Sequence, residues 1–181
     1  GTGALQWAHE FGGSQLEYMW SIRQTNDGGY ITVGTEVSYT TTPDLFLVKL
    51  TNTGGFSWAR TYGFNSSWDE ALSVKECIDQ SLIISGYTQG DGIFGSTNMY
   101  MLKTNFAGAK TWGRVYGGNS GEMGWNVIQT NDGGFACTGR TSSFGAGNED
   151  VYLVKTEQNG VTPCNNNAVV ETTGTLTITP N

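Results

Sequence analysis

The feature that most constrains the fold of this chain is an internal repeat. Residues 20–34 read WSIRQTNDGGYITVG and residues 125–139 read WNVIQTNDGGFACTG, with eight of the 15 positions identical. Residues 72–86, LSVKECIDQSLIISG, keep the apolar pattern and the final glycine of the same segment. Three copies at a spacing of about 52 residues predict a repeat architecture in which each copy folds as one supersecondary unit.

Other residues recur in the same register. Each unit opens with a tryptophan, continues with an aromatic-glycine pair and an acid, and ends with a strand lysine and a glycine turn. These positions are Trp7, Trp58 and Trp112; Phe11, Tyr62 and Tyr116; Glu17, Asp69 and Glu122; Lys49, Lys103 and Lys155; and Gly54, Gly108 and Gly160. We therefore predict a single repeat domain over residues 1–164, with units at about 5–55, 56–108 and 109–160. A linker and a C-terminal strand follow in residues 165–181.

Each unit contains four extended runs, the first centred on the tryptophan, and none shows a sustained helical period. In units one and three an Asn-Asp-Gly-Gly turn joins the second run to the third. These residues tolerate positive φ, which two-residue hairpin turns require. Four short strands in about 50 residues are typical of a propeller blade. The predicted fold is all-β, with three four-stranded propeller-type blades and an added C-terminal strand.

The motifs QTNDGG, DVYLVKT and Asn159-Gly160 also carry a resemblance. With them the chain resembles secreted and cell-surface propeller-like repeat proteins of bacteria and archaea. The resemblance covers residues 5 to about 164. It implies the blade fold and says little about activity.

Three blades pose a physical problem, because closed propellers usually have about four to eight. An open set leaves exposed strand edges, which invite pairing with another chain. Three arrangements would solve this problem. The units could close with three-fold symmetry as a β-prism or a β-trefoil, other subunits could complete the propeller, or neighbours in a polymer could pair the edges.

The C-terminal tail bears on the same problem. Residues 175–179, TLTIT, alternate strictly and are rich in β-branched residues, which predicts a strand. This strand could pair with the chain's own first unit, or it could be donated to a neighbouring subunit. We therefore expect self-association, as a homo-oligomer or fibre, through strand edges and residues 168–180.

Composition excludes several classes of partner. The net charge is −7 and no Lys/Arg cluster occurs, which argues against nucleic-acid binding. No apolar run reaches the length of a membrane-spanning helix. The chain begins with Gly1, which indicates either removal of a signal peptide or a fragment. Together with the Asn-, Thr-, Ser- and Gly-rich polar positions, this favours a secreted or cell-surface location.

Residues suited to catalysis are scarce. His9 is the only histidine, so a metal cluster built on several histidines cannot be assembled, and no convincing Ser-His-Asp set is found around it. Glu17, Asp69 and Glu122 could supply glycosidase carboxylates. Their equivalence in the repeat instead predicts the same structural role in every unit, such as accepting hydrogen bonds from turn amides. We predict no enzymatic activity, no cofactor and no metal site.

A few single residues are candidates for other roles. Asn65 heads the sequon Asn-Ser-Ser and is a candidate glycosylation site. Cys137 and Cys164 are a candidate disulfide that would anchor the tail, whereas Cys77 is expected to be reduced and buried. Trp68 lies outside the repeat alignment and is a candidate for stacking on sugar rings.

The resulting expectation is a non-enzymatic structural subunit of an extracellular or cell-surface assembly, such as a filament joined by strand pairing. The alternative is a carbohydrate-binding, lectin-like repeat module that binds glycans through its aromatic side chains.

Overall fold

The computed structural model describes residues 2–64, 67–90 and 97–163, together with the backbone of 166–168 and 172–176. The described residues contain β-strands and no helix, which confirms the all-β prediction. None of them therefore forms a helix that could span a membrane.

Three antiparallel sheets account for the repeat domain. Sheet one contains β1 (Glu17–Gln24), β2 (Tyr30–Glu36), β3 (Asp44–Leu50) and β4 (Phe56–Gly63). Sheet two contains β5 (Asp69–Glu76), β6 (Leu82–Thr88), β7 (Asn98–Thr104) and β8 (Lys110–Tyr116). Sheet three contains β9 (Glu122–Gln129), β10 (Phe135–Thr141) and β11 (Asp150–Thr156).

The sheets are offset from the sequence units. The tryptophan strand that opens unit two, β4, completes sheet one, and β8 completes sheet two in the same way. Within the described residues sheet three has no corresponding fourth strand. Units two and three each contain the four predicted strands, β4–β7 and β8–β11, whereas in unit one the run around Trp7 forms no strand. Grouped into sheets, the prediction of three four-stranded blades is wrong for sheet three, because no described strand follows β11 in the position that β4 and β8 occupy.

The sheets pack in a row. One hydrophobic cluster joins sheets one and two, through residues that include Leu45, Leu47, Leu82 and Leu102. A second cluster joins sheets two and three, through residues that include Met101 and Phe135. No cluster of described residues joins sheet three to sheet one, and the described strands form no closed barrel or propeller. This arrangement differs from the three-fold closure expected for a β-prism or a β-trefoil.

We call the side of a sheet that faces the preceding sheet its front face and the opposite side its back face. In sheet two the front face carries Leu82 and Leu102, and the back face carries Ile83 and Met101. Both faces are covered, so β7 is buried along its whole length. Burial on both faces explains why the third strand of each sheet is apolar at successive positions instead of alternating with polar residues.

The hairpin turns differ from the two-residue type that the sequence suggested. In the turn Thr25–Gly29 only Gly28 has positive φ, at 81°, and the amide of Thr25 donates to the carbonyl of Gly29. This pattern matches a longer turn with one left-handed residue, the position where glycine is favoured. The middle unit has Gln80 there, with φ of 64°.

A second glycine position is fixed by a close approach. A Cβ atom built on Gly86 would lie 1.8 Å from the carbonyl oxygen of Glu70 in the neighbouring strand. A Cβ atom built on Gly34 would likewise meet the carbonyl oxygen of Tyr18, and one built on Gly139 would meet that of Met123. A bulge in the first strand of each sheet brings this carbonyl inward, which explains the final glycine of the repeated segment.

The C-terminal tail pairs within the chain. Strand β12 (Asn166–Ala168) pairs with β8, and β13 (Thr172–Leu176) pairs with β4. The sequence left open pairing with the chain's own first unit or donation to a neighbouring subunit. The strand pairs within the chain, but with β4, which opens unit two and completes sheet one. The strand begins earlier than predicted, and residues 177–180 lie outside the described part.

Candidate functional site

Each sheet contains the same ion pair between a turn aspartate and a strand lysine. The pairs are Lys49–Asp27 at 2.9 Å, Lys103–Asp79 at 3.1 Å and Lys155–Asp132 at 2.7 Å. A hydrogen bond from Thr25, together with Lys49, lowers the pKa of Asp27 to about 2. Because the pair recurs in every sheet and ties a turn to the third strand, its role is structural. The sequence showed both residues in register but gave no sign that they meet.

Two of the three repeat-equivalent acids bind turn amides, as predicted, whereas Oε1 of the third, Glu17, is buried without a hydrogen-bond partner among the described residues. The Asp69 carboxylate accepts a hydrogen bond from the amide of Phe64 at 2.7 Å. The Glu122 carboxylate accepts one from the amide of Gly118 at 2.9 Å. Both acids are almost fully buried, so these bonds offset the cost of burying a charge.

Buried carboxyl groups lie close together where sheets one and two meet. Glu36 is fully buried, and Asp44 and Asp69 are nearly so. Burial, reinforced by the charges of Asp69 and Glu36, raises the pKa of Asp44 to about 7. Burial also raises the pKa of Glu36. Within the described part of the chain, no group of three or more His, Cys, Asp or Glu residues is placed to hold a metal ion.

His9, the single histidine, lies in the N-terminal segment, which we define as residues 4–13. Its ring stacks on Trp7 with centroids 5.7 Å apart and lies 6.0 Å from the ring of Phe11. The three rings line one side of an extended stretch, and both flanking rings contact sheet one through Tyr30 and Phe56.

The candidate sugar-binding residue lies on the surface. Trp68 is 44% exposed, and its indole Nε1 donates to the Glu70 carboxylate at 3.3 Å. The hydroxyl of Tyr87 donates to the same carboxylate oxygen at 2.5 Å. An exposed indole beside an acceptor and a phenol matches the mixture of apolar and polar groups that sugar recognition needs.

The remaining candidates lie partly outside the described residues. Asn65 and Cys164 are both outside them, so glycosylation and the Cys137–Cys164 disulfide stay predictions. Cys77 carries a free thiol, as expected, and Cys77 and Cys137 are buried on either side of the boundary between sheets two and three. Burial raises the pKa of Cys137 to about 12, which makes its thiol a poor nucleophile.

A surface that sequence reasoning missed is the back face of sheet three. Val151 and Leu153 of β11 are 78% and 72% exposed, and Ile128 of β9 is about half exposed. Within the described residues no strand pairs with the outer edge of β11. Exposed apolar side chains next to an open strand edge are the usual features of an interaction surface.

No protein-family model matches this chain, and comparison with curated proteins finds no significant match.

Proposed function

We propose that this protein is a non-enzymatic structural subunit of an extracellular or cell-surface assembly, in which copies join by strand pairing at sheet edges. The observation that carries the proposal is the open edge of β11 beside exposed Val151 and Leu153. Pairing at such an edge satisfies backbone groups and removes apolar surface from water in one step.

The tail is not the joining element in this proposal. Strand β13 already pairs with β4 of its own chain, so residues 172–176 are occupied. The edge of sheet three is the more suitable contact, because its apolar face and its backbone edge lie together.

A non-enzymatic role is supported by what the polar residues do. Asp69 and Glu122 bind turn amides, and the three aspartate–lysine pairs repeat one structural contact. A catalytic site needs different groups in different roles, and the repeat gives these residues equivalent roles. The low charge content and the many Asn, Thr, Ser and Gly residues favour the extracellular location.

The test is the mass of the particle as a function of protein concentration. We expect light scattering coupled to size-exclusion chromatography to give masses above the 19.5 kDa of one chain, rising with concentration. Electron micrographs of the same fractions would separate rings from fibres. A constant monomer mass at every concentration would refute the proposal.

A second candidate function is carbohydrate binding, and the exposed indole of Trp68 beside Glu70 and Tyr87 favours it. We expect Trp68→Ala to abolish binding on a glycan array. Trp125→Ala removes a comparably exposed indole, that of a residue in β9, and is the matched control. Equal binding by both variants and the unaltered chain, or no binding by any of them, would count against this function.

A further inference from the structure

The exposed back face of sheet three corresponds to faces that are fully buried elsewhere in the chain. Val151 and Leu153 occupy the repeat positions of two buried residues in each of the other sheets. Those residues are Leu45 and Leu47 in sheet one, and Met99 and Met101 in sheet two. In sheets one and two this face packs on the next sheet. Sheet three therefore carries a face suited to a following sheet.

The lysine of the repeated ion pair also indicates that sheet three is suited to a following sheet. The side chains of Lys49 and Lys103 are 4% and 7% exposed, and each lies over a phenylalanine ring of the following sheet. Lys155, at the equivalent position of β11, is 50% exposed although its ion pair with Asp132 is intact. The exposure differs because the following sheet covers Lys49 and Lys103, whereas no sheet in the described part of the chain covers Lys155.

The opposite end of the row has the complementary feature. Met19 and Ile22, on β1, are 41% and 49% exposed. Their repeat equivalents in sheet two, Ala71 and Val74, are fully buried against sheet one. The front face of sheet one is therefore suited to a preceding sheet.

The N-terminal segment shows which strand of that preceding sheet is already present. Trp58 of β4 lies against Gly108 of the next sheet, and Trp112 of β8 lies against Gly160. Trp7 lies against Gly54 in the same manner, so that a Cβ atom on this glycine would lie 2.5 Å from the indole. The stacking of His9 on Trp7 likewise repeats the position of Arg60 over Trp58. The segment thus occupies the position that a fourth strand would have in a sheet preceding sheet one. Sheets one to three do not supply the other three strands of that sheet.

We propose that the chain binds a second copy of itself head to tail. Residues 5–11 of one copy pair antiparallel with β11 of the other, and the back face of sheet three packs on the front face of sheet one. This proposal rests on the function proposed above and specifies the contact. A second copy fits because each chain has both parts of the contact. Sheet three lacks a fourth strand, and residues 5–11 lie where a fourth strand would lie but have no sheet to pair with among the described residues.

The repeat also fixes the register of the contact. Lys49 is opposite Trp58 in sheet one, and Lys103 is opposite Trp112 in sheet two. The same register places Lys155 opposite Trp7 of the second copy, and therefore Leu153 opposite His9. Two copies would provide six sheets in a ring, within the range of about four to eight that closed propellers use.

The register can be tested by mixing two single-cysteine variants, His9→Cys and Leu153→Cys, each made with Cys164→Ser. Both positions are exposed, so the folds should be retained, and the buried thiols of Cys77 and Cys137 should not compete. Directly opposed residues have Cβ atoms close enough for a disulfide. The matched control is Glu10→Cys mixed with Leu153→Cys, since Glu10 is the neighbouring exposed residue on the other side of the segment.

We expect oxidation to give the covalent dimer at least about tenfold faster for His9→Cys than for Glu10→Cys, because pairing raises the local thiol concentration. If the unaltered chain assembles but the two mixtures cross-link at the same rate, the head-to-tail contact is wrong while the assembly function survives. If the unaltered chain stays monomeric at every concentration, both proposals fail, because no second copy then covers the exposed faces.

Discussion

Gly86 shows how a single residue fixes the position of a strand. The carbonyl of Glu70 occupies the space where any other residue would place its Cβ atom. The bulge in β5 and the glycine in β6 therefore depend on each other. The same relation recurs at Gly34 and Gly139, which is why this glycine survives in the middle unit while the turn glycines do not.

Substituting Gly86 tests this relation. We expect Gly86→Ala to lower the free energy of unfolding by at least about 2 kcal/mol, because backbone must move to accommodate the methyl group. Gly147→Ala is the control, since nothing lies within 4 Å of a Cβ atom at that position. Urea unfolding followed by tryptophan fluorescence gives both values. Equal effects of the two substitutions would refute the close-approach argument.

Asp44 couples stability to pH at the residue scale. The pKa of its carboxyl rises from 3.8 to about 7 on folding, so the folded chain binds this proton more tightly than the unfolded chain does. The contribution to stability is present below about pH 4 and is lost as the pH rises through 7. Asn98 stands at the equivalent position of sheet two, which shows that an amide fits there.

We therefore expect Asp44→Asn to raise the free energy of unfolding at pH 8 by roughly 1–3 kcal/mol, and to flatten its dependence on pH between 4 and 7. Urea titrations at pH 4.5 and 8 measure both effects. Glu10→Gln removes the same formal charge from an exposed position and controls for net charge. An unchanged slope in Asp44→Asn would show that Asp44 titrates normally in the folded chain.

At the scale of elements, the turn between β5 and β6 places a residue with a side chain in a conformation that favours glycine. Gln80 adopts the left-handed conformation that glycine adopts at positions 28 and 133. The expected effect of Gln80→Gly is a gain of roughly 1 kcal/mol in the free energy of unfolding, because the left-handed conformation costs a side chain about that much. Gly133→Ala should lose a similar amount, and thermal unfolding of both variants checks the pair. The prediction fails if both substitutions shift stability in the same direction.

The repeat allowed the individual strands and turns to be predicted, but it did not show which strands belong to the same sheet. QTNDGG and DVYLVKT predicted the turns and strands, because alternation and turn chemistry act over a few residues. The assignment of Trp58 and Trp112 to the preceding sheets could not be predicted, since it depends on which neighbour a strand pairs with. The cluster of Glu36, Asp44 and Asp69 was likewise hidden, because its members come from two sheets.

The third strand of sheet three carries a mismatch that only the structure reveals. The sequence DVYLVKT of β11 is apolar at successive positions, as expected for a strand covered on both faces. In the isolated chain only one face is covered, and burial alternates along β11, whereas β3 and β7 are buried throughout. The sequence of β11 thus suits a strand that is covered on both faces, whereas the single chain covers only one face.

At the scale of the whole molecule, the chain is a row of sheets in which each packs only on its neighbours. In such repeat structures the end units need a cap or a partner, because their outer faces are apolar. The N-terminal segment caps the outer half of sheet one, where Phe46 and Val48 are buried. The inner half of that face and the back face of sheet three remain exposed, and head-to-tail contact covers both.

Hydrogen exchange tests the head-to-tail contact most directly, because it reports on the backbone groups that the contact would pair. We compare the exchange rates of peptides covering residues 4–13 and 150–156 at low and high protein concentration, with residues 98–104 of β7 as the internal control. We expect the two terminal peptides to become protected together as the protein assembles, while the β7 peptide does not change. Assembly that leaves both terminal peptides unprotected would contradict it.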